Sequence, residues 1–93
     1  MVPPHQLPVP LGQTVATPGA LRVLTQPDIV AALRRHSAGD WGDVDAHDQA
    51  ANDDALRTGE RLLSVYRSAN GIPFWVITEA DRSVTTVLLP EDY

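Results

Sequence analysis

Residues 36 to 56 read HSAGDWGDVDAHDQAANDDAL, where six aspartates, two histidines and a tryptophan gather with no arginine or lysine among them. That composition could serve ligation of a metal, acid–base chemistry by a histidine, or charge-steered docking of another protein. A metal needs several ligands converging on one point. Here His47 with Asp43 supplies one or two at helical spacing, and no HxxxH or ExxH pattern fixes a geometry, so no metal or other cofactor is assigned. The docking reading takes Asp40, Trp41, Asp43, Asp45, Asp48, Asp53 and Asp54 as a partner-binding set, an acidic face beside an exposed tryptophan that would meet a basic protein. A purely solvated helix face is the competing account. It suits Asp43, Asp45 and Asp48, which lie near a helix N-terminus where the dipole favours negative charge, but leaves Asp53 and Asp54 at the unfavourable end. Trp41 could equally pack its loop onto the core.

His36 stands apart from the acids. It continues the stripe of Ile29, Ala32 and Leu33 at helical spacing, which fits a buried, hydrogen-bonded group as well as a catalytic base.

These residues must be positioned by one small domain, since 93 residues allow a single two-layered core. Residues 1–10 hold four prolines and read as an irregular arm, leaving 11–93 as the domain. Twelve acids face seven arginines and no lysine, a net charge of -5 that disfavours nucleic acid and favours a basic protein partner. The absence of cysteine and of any long apolar run or secretion signal fits a cytoplasmic protein with no membrane span.

Along the chain, LGQTVAT offers a short strand, and Thr17-Pro18 opens a helix. A second helix begins at Pro27-Asp28 and ends at Gly39, and a weakly amphipathic third runs between Asp43 and Thr58, with Asp43 or Asp45 as its cap and Gly59 as its stop. Beyond Gly59 the period becomes that of strands. Residues 61–67, 73–79 and 84–89 are expected as a meander, with Asn70-Gly71 at its first turn and Trp75 mostly buried in the central strand. The expected class is α+β: two or three short N-terminal helices packed on a three- to four-stranded antiparallel sheet. An exposed edge of that sheet could pair with a second copy.

The order LGQTVATPGAL, RHSAGDWGD, RLLSVYR and ITEADRSVTTVLLPEDY, spanning about Leu11 to Tyr93, resembles a family of short bacterial proteins of plasmids, phages and genomic islands. They go by the label "plasmid-related protein", or by a mistaken one as a type I restriction enzyme M subunit. The resemblance implies a mobile-DNA setting, with an antidefence or regulatory role as analogy, and brings no activity. Nothing here resembles a methyltransferase, for the chain lacks a glycine-rich nucleotide loop. A looser likeness of layout, helices with a histidine followed by a meander, is to the compact RNases of the RelE and barnase–EndoU–colicin group. It would make His36 the base or acid, Arg67 and Arg82 phosphate clamps, and Thr85 or Thr86 a hydrogen-bond donor, without a metal. The net charge of -5 departs from the basic character of such toxins.

Overall fold

Each helix starts on a side chain that accepts a backbone N–H. Thr17 caps α1 (Pro18–Val23) and Asp45 caps α3 (Ala46–Thr58), which ends on left-handed Gly59. Thr25 opens α2 (Gln26–Ser37) with a full capping box: its hydroxyl accepts from the Asp28 N–H at 3.2 Å, and the Asp28 carboxylate accepts from the Thr25 N–H at 3.0 Å. That bond to Thr25, joined by one from the Ala69 N–H, holds the Asp28 carboxyl below its ordinary range. Of the two caps that the sequence offers the third helix, Asp45 takes the position, so the helix itself begins at Ala46.

The computed structural model describes residues 9–93, so the expectation for the proline arm lies outside the described residues except at Val9 and Pro10. Val9 is buried, and its N–H donates to the Ser37 carbonyl. The architecture is α+β: β1 (Gln13–Ala16), the three helices, then β2 (Leu62–Arg67), β3 (Pro73–Thr78), β4 (Val84–Leu88) and a 3₁₀ turn over Pro90–Asp92. The meander forms as expected, with β3 between its neighbours. The sheet is not purely antiparallel, however. Its order is β1-β4-β3-β2, and β1 lies parallel to β4 with Gln13 opposite Val84 and Ala16 opposite Val87. Entering beside the last strand, β1 covers an edge that the meander alone would leave unpaired. Gly12 makes the approach possible: its φ is 62°, and a Cβ there would strike the Ser83 and Arg82 carbonyls.

Register places Leu62, Ser64, Tyr66, Phe74, Val76, Thr78, Thr85 and Val87 on one face of the sheet, all buried. Ala20 of α1, Leu24 just after it and Ala32 of α2 pack there with Tyr66, Phe74, Val76 and Val87, while Trp41, Ala55 and Val9 close on Leu62. On the opposite face Trp75 is only half-buried, short of the expectation, and its ring stands roughly perpendicular to that of Tyr93 at 5.6 Å.

The β2 edge is closed group by group. The Asn52 amide donates to the Leu63 carbonyl at 2.8 Å and accepts from the Leu63 N–H at 3.2 Å. Two residues on, the Val65 N–H donates to the Trp41 carbonyl and the Val65 carbonyl accepts from the Asp43 N–H. Gly42, with φ of 76°, lets that segment press onto the strand where a side chain would collide with the Val65 carbonyl. Asn52 thus ties α3 to the sheet. Replacing it with alanine orphans two backbone groups and should cost about 2 kcal/mol in urea unfolding; an unchanged midpoint and slope would contradict the assignment.

Candidate functional site

His36 ends the buried stripe of α2 with no exposed surface, and both ring nitrogens meet hydroxyls. Nδ1 lies 2.6 Å from the Ser64 Oγ of β2, and Nε2 lies 2.8 Å from the Thr78 Oγ1 of β3. Thr78 is 2.7 Å from the Thr85 Oγ1 of β4, which donates to the Leu11 carbonyl at 2.7 Å. Each hydroxyl has one proton, and this fixes the direction of the chain. Thr85 gives its proton to Leu11, so Thr78 must donate to Thr85. Nε2 must then carry the ring proton and donate to Thr78, leaving Nδ1 to accept from Ser64. The neutral Nε2–H tautomer satisfies every member. Burial, and secondarily the Arg82 charge, pull the His36 pKa down to about 4.

The aromatic and charged neighbours seal this network. Trp41 is 3% exposed and stands roughly perpendicular to the His36 ring at 5.6 Å, so of the two roles read from the sequence it takes that of a cover packed onto the core and not that of an exposed anchor. Its indole N–H donates to the Asp53 carboxylate at 2.9 Å. The Tyr66 hydroxyl donates to the Asp40 carbonyl at 2.6 Å, and burial pushes its pKa up to about 12. Arg35 lies over the Tyr66 ring and pairs with the Asp40 carboxylate, which holds that carboxyl below its ordinary range.

The acidic set therefore divides. Asp40 and Asp53 hold structure, and Asp45 caps α3. Asp43, 3.6 Å from Arg67, stands exposed with Asp48 and Asp54, the last paired with Arg57. Of the residues an RNase would need, His36 and Thr85 share the network but neither reaches solvent. Arg82 sits in the β3–β4 turn with φ of 63° and donates to the carbonyls of Ala55, Glu60 and Glu79, so it caps α3 and braces the turn. Arg67 projects at the far end of β2, and Thr86 lies on the opposite sheet face from Thr85. Among the described residues, the buried His36 and the engaged Arg67 and Arg82 do not meet at one exposed surface.

Sequence reasoning missed Ser64, Thr78, Asn52 and the Leu11 carbonyl as partners. The signal for Ser64 and Thr78 was present: each occupies an inward position of an apolar alternation, where a small hydroxyl needs a polar partner. Among the described residues no three His, Asp or Glu side chains gather as metal ligands, and no helix is long and apolar enough to cross a membrane. Comparison with protein-family models, curated proteins and solved structures gives no match.

Two outcomes follow from these contacts. Because the folded pKa of His36 lies below the value of 6.5 for an unperturbed ring, the unfolded chain takes up the proton first. The contribution of neutral His36 is thus fully present above pH 6.5 and is lost as pH falls toward 4, by about 3 kcal/mol if that group acts alone. Denaturant melts across this window, above the range where carboxylates dominate, should show the decline; a flat profile between pH 6.5 and 4.5 would contradict it. Second, Asp53→Ala should destabilise by about 1 kcal/mol through loss of the indole hydrogen bond, whereas Asp54→Ala should stay within about 0.5 kcal/mol of the parent. Equal melting temperatures for the two variants would refute the division.

Proposed function

We propose that this chain is a non-enzymatic protein-binding module of mobile genetic elements, acting in the cytoplasm on a basic protein partner. The observation that carries this reading is the sealing of the histidine. His36 and its hydroxyl partners are locked beneath Trp41 with every buried polar atom paired, while α3 holds exposed acids over a rigid base. Asn52, the Asp53–Trp41 bond and Arg82 fix that helix from beneath, so its outward carboxylates keep constant positions. Rigid like charges raise the rate at which an oppositely charged partner arrives more than they raise affinity at contact. The mobile-DNA setting, with a regulatory or antidefence task, is supported by the resemblance carried in GDWGD, ITEADRS and VLLPEDY.

Tagged protein captured from its host, followed by mass spectrometry, should return a basic protein. Asp43→Asn with Asp48→Asn should then slow association with it several-fold at low salt, and the difference should close near 0.5 M salt, where screening is short-ranged. The melting profile should move by less than about 0.5 kcal/mol, since both carboxylates are exposed. Unaltered association kinetics would show that the face is solvated surface and not a docking surface.

A further inference from the structure

The two edges of the sheet are built differently. Asn52, Trp41 and Asp43 satisfy the outward backbone groups of β2, but among the described residues nothing pairs with the outward edge of β1. The ladder to β4 uses the N–H groups of Gln13 and Thr17, on Ser83 and Val87, so the alternate residues Thr14 and Ala16 turn their N–H and C=O groups away from the sheet. Among the described residues, four of the five exposed large hydrophobic ones, Val15, Leu21, Val23 and Val30, belong to β1 and the two helices beside it.

Two grooves flank the edge, one lined by Thr14, Val15, Ala16, Leu21, Ile29 and Leu33 with Val87 at its base, the other by Leu11, Val30, Leu33, Arg34 and Ser37. The one charged side chain lining either is Arg34. Arg34 and Arg22, next to Leu21, are exposed and form no ion pair among the described residues. Asp92, the acid near the end of β1, is engaged by the Thr17 hydroxyl and the Leu89 N–H.

We infer that β1 receives an extended segment of a partner protein as a fifth strand, a segment with alternating apolar side chains and acidic flanks. Backbone pairing with Thr14 and Ala16 supplies the ladder, and every second side chain of the incoming strand falls over the groove of Leu21, Ile29 and Leu33. Charge selects the flanks. In a chain of net charge -5, this edge combines bare backbone among the described residues with apolar surface and arginine, which suits carboxylates. Twofold pairing of β1 with a second copy would instead bring like arginines toward each other. The surface is separate from the acidic face of α3, which packs beside β2 at the far edge.

The test uses the full chain and a short synthetic peptide of alternating valine and threonine with glutamates at both ends. NMR titration should move the Thr14 and Ala16 amides, and the same peptide with lysine ends should bind about tenfold more weakly. Arg34→Glu, a change on an exposed helix position, should invert that order without altering the fold. Thr14→Pro removes one outward N–H, leaves the ladder to β4 intact, and should abolish binding of either peptide. The inference is overturned if the shifts fall elsewhere, if the two peptides bind equally, or if Thr14→Pro binds like the parent. It is also overturned if sedimentation shows the free chain dimerising with those two amides already protected, since a second copy would then be the occupant.

Discussion

One buried relay of hydrogen bonds, from Ser64 through His36, Thr78 and Thr85 to the Leu11 carbonyl, joins every layer of this fold. It links α2 to three strands in turn, and reaches the lead-in that delivers β1. Apolar packing alone would be indifferent to small sliding motions of α2 across the sheet. The relay is not, because moving the imidazole orphans two hydroxyls in a site without water access. The same constraint fixes the proton on Nε2, and burial keeps the ring neutral, so that Nδ1 accepts from Ser64. The histidine is thus a spacer of defined polarity between helix and sheet.

Around this centre the acidic stretch acquires two roles that its composition blends. Trp41 closes the network from one side and is held by Asp53, while Gly42 and Asp43 carry the backbone along β2. The remaining carboxylates project from a helix braced by Asn52 and Arg82. Structure and surface interleave along one segment, so neighbouring aspartates such as Asp53 and Asp54 differ in what they do. The two sheet edges then give the molecule a direction, with an acidic helix beyond β2 and an apolar, arginine-bearing edge at β1.

Much of the fold was legible from local chemistry. Thr17-Pro18, Gly59 and Asn70-Gly71 each force a start, stop or turn that does not depend on distant residues, and the strands between them follow from alternation. The parallel placement of β1 was not legible, because four residues carry no mark of the strand they will join and the pairing depends on Gly12 meeting the carbonyls of Arg82 and Ser83 far along the chain. The burial of His36 could be read from its helical stripe. That Trp41 packs its loop onto the core was also among the readings of the sequence, but its indole partner was not, since the Asp53 carboxylate lies twelve residues on, within the third helix. Arg82 likewise reads as a turn residue or a phosphate clamp until the carbonyls of Ala55 and Glu60 are seen beneath it.

The state of one ring decides whether the relay is formed. Nitrogen-detected NMR of the His36 imidazole distinguishes its tautomers and follows its titration in the intact chain. The relay requires a proton on Nε2, a bare Nδ1, and no titration until pH approaches 4. An Nδ1–H tautomer, or a ring that titrates near 6.5 as a solvent-exposed histidine does, would show that the relay is not formed and would return His36 to the candidates for acid–base chemistry.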